Sequence, residues 1–424
     1  MLGDGRNRPC FIAVVLITLS VGIYSLIPGL DFAVDQGTTP SRALGYSSHS
    51  PILINNNSDF VETASLEGWN GTGSAAYPYK ITNYDIDGST ERTSIYVGNT
   101  TVHFLVTSCY LHGTYHATYN SGIYLCNVTN GVIAESNCSN NFYGIELGPS
   151  SHNNIIRNNT CINNWHGIIL YSDSNNNTLM NNNCLLSSMR GIVITFSNDN
   201  VVSKNNCSCN YNDGIFIYYS INMIIADNIC NDNGIGITIG GNNQSIRNNF
   251  CCRNLEGIQS GTTFSLFIGN NVSENQDNGL NFSSGAHSND VENNVFYINL
   301  GYGISNLPGA TNNRIWNNSF IKNNGSTAVY DPSHIQAYDG GTDNWWNSTD
   351  GYGNYWSDWQ GRDFNMDGVQ DAPYNISGTA GAKDYYPLAS FPTPPIPEFF
   401  EIIIPIVGMI GLIFLTRVRH IRRR

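Results

Sequence analysis

The chain has 424 residues, of which only 12% are charged and 42 are glycine, with a formal net charge of -13. Asparagine and glycine are poor helix formers that favour turns, which excludes an ordinary helical domain, and 41% hydrophobic with 12% aromatic content excludes disorder. Between Asp31 and Glu398 lie 12 basic and 30 acidic residues, a body that repels nucleic acid and favours cations or neutral, hydroxyl-rich ligands.

In chain order, Arg6 and Arg8 precede an apolar run from Cys10 to Ile27, so residues 1–34 read as a signal peptide or an N-terminal membrane anchor. The Ser25–Ala33 region matches a small-x-small cleavage site poorly, and both readings stand. Residues 50–98 read as an N-terminal cap with the first strands.

A ladder of glycine followed by an aliphatic residue then appears. The pairs begin at Gly122, Gly144, Gly167, Gly191, Gly214, Gly234, Gly257, Gly279 and Gly303, in steps of 20 to 24 residues. A period of this length means a solenoid or array. Within one unit, Gly167–Tyr171 alternates with period two, a polar turn follows, and the short stretches Thr178–Met180 and Cys184–Leu186 come next. Three short strands per repeat predict an all-β, right-handed parallel β-helix of about ten coils over residues 99–335. A propeller blade would need about 40 residues and four strands. The paired asparagines fall at the turns, where Asn tolerates the left-handed conformation. Stacked in successive coils they predict amide ladders.

Six cysteines share a register: Cys138, Cys161, Cys184, Cys207, Cys230 and Cys251. The same register predicts that Ser273, Phe296 and Phe320 continue the column and that Cys109 begins it. Two readings compete, thiols packed as small hydrophobes and a soft-metal or disulfide column. No His shares the register and Phe replaces Cys farther along, so packing is preferred.

Residues 336–390 are rich in aromatics, among them Trp345, Trp346, Tyr355, Trp356 and Tyr374, and read as a C-terminal cap over the open core. Within it, Asp363, Asn365, Asp367 and Asp371 stand at positions 1, 3, 5 and 9 of an EF-hand-like loop. Gly368 stands at position 6, and Val369 is placed to contribute its carbonyl. Position 12 is Tyr374 rather than Glu. The expectation is a structural calcium ion. A Pro-rich spacer (391–398), an apolar transmembrane segment (399–416) and a basic cytoplasmic tail (417–424) close the chain. The expected location is therefore a cell membrane, with one or two passes and the bulk of the chain outside the cytoplasm. Fifteen Asn-x-Ser/Thr triplets fit export; Asn70, Asn99, Asn127, Asn271, Asn317 and Asn347 are candidate glycosylation sites.

From Ile52 to Leu388 the sequence resembles the NosD-like family of periplasmic copper-binding β-helix proteins, within the wider carbohydrate-binding and sugar-hydrolase repeat group. The resemblance rests on Gly68-Trp-Asn-Gly-Thr-Gly73 with Pro78-Tyr79, on Gly353-Asn-Tyr-Trp-Ser-Asp358, and on Asp367-Gly-Val-Gln-Asp-Ala-Pro-Tyr374. It implies a right-handed β-helix. The Pro397-Glu398-Phe399 run resembles the tails of archaeal surface proteins processed by sortase. No Met/His-rich motif is present, so copper is not expected.

Glycoside hydrolysis needs two carboxylates at catalytic separation. Asp213, Asp232 and Glu256 lie beside turn glycines near one register, with no His or Arg expected to align with them. Catalytic residues are therefore left unassigned. The reading is a membrane-anchored surface protein that displays a face to glycans or partner proteins without catalysis. A polysaccharide hydrolase or lyase is the alternative, and a copper-handling accessory protein the second.

Overall fold

The computed structural model describes residues 45–116 and 120–392, and over them the chain winds as a parallel β-helix. One face is a 12-stranded sheet from Ile52–Ile54 to Ala337–Asp339, and a second is an 11-stranded sheet from Tyr79–Thr82 to Arg314–Trp316. The third face is built of shorter strands, joined by single bridges such as Asn183 to Asn206. Apart from the short pair Tyr374–Asn375 and Lys383–Asp384, the paired strands described run parallel. The expectation of about ten coils of roughly 23 residues is met. The apolar segments expected at 1–34 and 399–416 and the tail at 417–424 lie outside the described residues. Among the described residues no helix is long and apolar enough to cross a membrane.

The ladder differs from the sequence reading at one rung. Ile215 pairs with Ile237, so Gly236 and not Gly234 carries the register between Gly214 and Gly257. A shortened coil had misplaced it. Each glycine of this file is pressed against the next coil; a Cβ at Gly167 would lie 2.6 Å from the Gly191 carbonyl oxygen. The isoleucines that follow (Ile123, Ile145, Ile168, Ile192, Ile215, Ile237, Ile258) are buried and stack along the core.

The corners are held by the predicted amide ladders, and there are three of them. In one, Asn159, Asn182, Asn205, Asn228, Asn249, Asn270, Asn294, Asn318 and Asn354 follow one another, all buried. The Asn205 side-chain oxygen accepts from both the backbone N–H (2.9 Å) and the Nδ2 (3.0 Å) of Asn182. Its own Nδ2 donates to the Leu179 carbonyl (3.0 Å) and to Asn228 (3.1 Å). The residue before each rung from Asn159 to Asn318 is left-handed, with φ of 56° at Asn158, 54° at Asn181 and 56° at Lys204. A non-glycine residue gives up roughly 1–2 kcal/mol in that conformation, yet Lys204 and even Ile298 adopt it. The ladder imposes the turn where the local residue does not favour it.

All three ladders end on a buried aspartate. Asn354 donates to Asp384 (2.7 Å from its N–H), Asn344 to Asp339 (2.9 Å) and Gln336 to Asp358 (2.6 Å). Each carboxylate also receives a cap aromatic: Trp356 Nε1 on Asp384 (2.9 Å), Trp346 Nε1 on Asp339 (2.9 Å) and Tyr374 OH on Asp358 (3.2 Å). Burial pushes Asp384 up to about 6, against the hydrogen bonds that favour its charged form. Above the core, Phe320, Trp356 and Tyr374 stack at centroid separations of 4.2 and 4.1 Å. At the other end a helix, Asn57–Leu66, is capped by Asn56 and lays Phe60 against Tyr79 and Phe104.

Asn205→Ala removes one rung, leaving the Asn182 backbone N–H, one Asn182 Nδ2 hydrogen and the Leu179 carbonyl without their side-chain partner, while Asn228 keeps the bond from the residue-205 N–H. At roughly 1–3 kcal/mol per unsatisfied buried group, urea unfolding should show a loss of about 3 kcal/mol or more. Asn99→Ala, at an exposed position, should cost far less.

Candidate functional site

Chemistry-bearing side chains gather on the outer face of the 12-stranded sheet. In each coil the residue just before the file glycine faces outward. Glycine and isoleucine turn inward after it, and the next residue faces outward again. Ladder pairing aligns the first of these positions as Ser121, Tyr143, His166 and Arg190. It continues through Asp213, Ile235 and Glu256. The second position gives Tyr124, Glu146, Ile169, Val193, Phe216, Thr238, Gln259 and Asn281.

The two files interlock. Glu146 is buried and accepts from Ser121 Oγ and from Tyr171 OH (2.7 Å). Asp213, 2% exposed, accepts from Arg190 Nε (2.5 Å) and from Thr238 Oγ1 (2.5 Å). The Arg190 guanidinium also sits 4.0 Å from the centre of the Phe216 ring. Two groups are left with an open atom. His166 is 8% exposed, stacks on Tyr143 (5.7 Å) and has no partner at Nδ1. Burial, reinforced by the Arg190 charge, holds it down to about 4, so it is neutral. Glu256 is 9% exposed, and its Oε1 has no partner. Burial, with the Asp277 charge nearby, pushes its carboxyl up to about 7 against a hydrogen bond from Asn281. Burial likewise raises Glu146, against the hydrogen bonds from Ser121 and Tyr171.

Of the three acids considered from sequence, Asp213 and Glu256 share this file and Asp232 does not. Asp232 occupies a left-handed turn and pairs with Arg253 (2.8 Å). The expectation that no His or Arg aligns with Asp213 is overturned by His166 and Arg190, on the two preceding coils. The signal was present as the residue immediately before each file glycine.

Beside this strip lies an exposed aromatic ledge. Phe196 and Tyr219 stack at 4.8 Å, and Tyr218 packs edge-on to Tyr219 at 4.4 Å. All three are at least 42% exposed, which sets them apart from the core aromatics.

The six cysteines form one fully buried file on the third face, with Cys161 paired to Cys184 in the ladder. Its ends are corrected. Leu111, not Cys109, precedes Cys138, because Tyr110 bridges Asn137. Val272, not Ser273, follows Cys251, and Phe296, Phe320 and Trp356 continue. Burial raises the thiols of Cys138, Cys184, Cys207 and Cys251 well above their ordinary range. Cys161 is held lower by hydrogen bonds from the thiols on either side, and at Cys230, where burial pushes up, such bonds from Cys207 and Cys251 together outweigh it. Among the described residues no three or more His, Cys, Asp or Glu side chains are gathered where they could hold a metal ion.

In the EF-hand-like loop, Asp363 accepts from the N–H groups of Asp367 (3.2 Å) and Gly368 (3.0 Å). Asp367 accepts from that of Val369 (2.9 Å), and Asp371 from that of Phe364 (2.7 Å). Asn365 donates to Asp367 (2.9 Å). The turn thus ties its carboxylates mainly to its own backbone N–H groups, whereas Tyr374 at position 12 is buried against Trp356. Of the sequon residues, Asn70, Asn99 and Asn127 are exposed, and Asn271, Asn317 and Asn347 are half-buried.

A sequence model of the family described as periplasmic copper-binding protein (NosD) matches residues 79–263 and 219–361. The chain belongs to the NosD family. No curated protein matches it. Among solved structures it is similar to a mannuronan C-5 epimerase A-module of Azotobacter vinelandii, at 16% identity and a TM-score of 0.45 over 61% of this chain and 80% of that one. It is also similar to a periplasmic alginate epimerase, at 14% and 0.47 over 76% of each chain. A third is an alginate lyase of Paenibacillus, at 14% and 0.38 over 63% and 94%.

For this NosD-family chain, packing predicts that Cys184→Ala lowers stability by about 1–2 kcal/mol through lost contacts in a file that cannot fully collapse. Cu(I) titration should then show no tight binding at a fixed stoichiometry. Tight uptake abolished by both Cys184→Ser and Cys207→Ser would reverse the assignment.

Proposed function

We propose that this β-helix is a glycan-binding protein held at a cell surface, with the outer face of the 12-stranded sheet as its binding face. The observation that carries the reading is the exposed Phe196, Tyr218 and Tyr219 ledge beside a strip of polar side chains. Exposed aromatic faces stack on the apolar faces of sugar rings, while fixed polar groups beside them hydrogen-bond hydroxyls. The acidic balance of the body favours a neutral glycan over an anionic one. Exposed Asn70, Asn99 and Asn127 fit a glycosylated surface protein, and the 399–416 segment is the proposed tether.

The test is calorimetric titration with neutral and anionic polysaccharides. Tyr219→Ala and Phe196→Ala should each weaken binding about five- to tenfold, taking the roughly 1–1.5 kcal/mol scale of a good aromatic contact. Unchanged affinity in both would place the ligand elsewhere.

The loop of Asp363, Asn365, Asp367, Val369 and Asp371 is proposed to take calcium as a structural ion for the cap. Added calcium should raise the melting temperature, and Asp363→Ala with Asp367→Ala should abolish the rise. An identical melting temperature in calcium and in chelator removes the ion from the account.

A further inference from the structure

We propose that the outer face of the 11-stranded sheet is an interface at which two copies of this chain pair with their rods antiparallel. This face is not the glycan-binding one, and the pairing does not depend on that reading.

In the three-residue strands of this sheet the middle side chain is buried, as at Ile156, Leu179, Val202 and Ile225, so the first and third face outward. Ladder pairing aligns the first positions as one file running from Lys80 to Asp290. Between Leu105 and Leu266 that file is aliphatic except at Thr178 and Ser245, and the third positions add Ala134, Met180, Ala226 and Ile268. The first outward file of the 12-stranded sheet, by contrast, is aliphatic only at Ile235. Parallel sheets ordinarily have both faces covered, yet most of these aliphatic side chains are only half-buried, and Ile155 is 40% exposed.

The strip has the size of a specific contact. Nine ladder steps make it about 43 Å long, and a three-residue strand with one corner residue on either side is roughly 16 Å wide. Two copies would cover about 1,400 Å² in all, inside the roughly 1,200–2,000 Å² of stable interfaces.

The charge pattern is what commits the strip to a second copy. A two-fold axis along the strand direction, midway between the coils of Thr178 and Val201, brings opposite halves of the strip face to face. Thr178 then faces Val201 of the second copy, Ile155 faces Ile224, and Leu105 faces Leu266. The same operation sets Lys80 opposite Asp290, with Glu292 beside it. It sets Arg247 opposite Ala134, next to Glu135, and Arg157 opposite Ala226, next to Asp227. Lys80 and Arg247 have no ion-pair partner among the described residues, and this pairing supplies each with one. A surface that complements itself under a two-fold is what a symmetric dimer requires. A two-fold along the rod would instead set Asp290 opposite Glu292 of the second copy, and like charges so placed are unfavourable. The antiparallel pair carries its two C-terminal ends at opposite ends, so copies tethered at 399–416 to one surface would lie along it.

The test is sedimentation of the full chain in detergent over a range of concentrations. The expected result is a dimer that dissociates on dilution. Ile224→Lys should raise its dissociation constant at least about tenfold, because each pair then buries two ammonium groups among aliphatic side chains. Arg247→Glu should raise it about tenfold, and adding Glu135→Arg should return it to within about threefold of the starting value. Such a rescue cannot come from misfolding, and the melting temperature of Ile224→Lys monomers checks the first variant. A monomer at every concentration overturns the interface. So does a dimer that Ile224→Lys leaves intact, as one joined through the apolar 399–416 segment would be. An unchanged constant in Arg247→Glu, or a loss that Glu135→Arg does not restore, overturns the antiparallel pairing.

Discussion

The hydrogen bond from one asparagine side chain to the next, one coil along, is the interaction on which the rest of this molecule depends. A β-helix has to turn its chain about three times per coil, and at each turn backbone N–H and C=O groups leave the strand ladders. The asparagine amide satisfies both a neighbouring N–H and a neighbouring carbonyl while itself staying buried. It also makes the left-handed residue before it tolerable whatever its side chain, as Lys204 and Ile298 show. The strands between corners are often only three residues long. Such strands would not hold a register by themselves; the corners hold it for them.

That fixed register creates the candidate site. Because the file glycines admit the neighbouring carbonyl at a distance no Cβ could allow, the residue before each glycine is turned outward in every coil. Seven coils then present Ser121, Tyr143, His166, Arg190, Asp213, Ile235 and Glu256 as one line. Residues 21 to 24 positions apart in sequence become neighbours on successive coils, and a rigid scaffold sets the spacing. The thiol file obeys the same rule on another face, but there the line points inward and ends in leucine, valine and phenylalanine, which marks it as packing.

Much of the architecture was legible in the sequence, because a repeat averages over its own noise. Nine glycine pairs and six cysteines fixed the period even though Gly234, Ser273 and Cys109 were assigned to the wrong rungs. Those errors share a cause: a coil shortened by two residues, or a residue next to the true position, keeps the composition and shifts the register. The site was less legible, since its members need no common residue type; His166, Arg190 and Asp213 align only when the coil is followed position by position. The aspartates at the end of the ladders were invisible for a further reason. Asp339, Asp358 and Asp384 look like ordinary surface acids until the aromatic groups that bury them are in place.

Those three aspartates bear on the rod as a whole. In the Asn159–Asn354 ladder each amide gives one N–H to the next rung toward the C-terminal end and accepts from the rung before it, so the side-chain dipoles align along that line. That line is thereby electrically polar along the rod, much as an α-helix is, whereas the backbone N–H and C=O groups of the strands alternate in direction along the axis and largely cancel. Its donor end meets the buried Asp384 carboxyl group, which also accepts from the Trp356 indole, and the Tyr374 ring stacks on that indole. The C-terminal end is therefore an electrostatic terminus as well as a steric one: a further coil could be added there only by giving those donors another amide and displacing the aspartates.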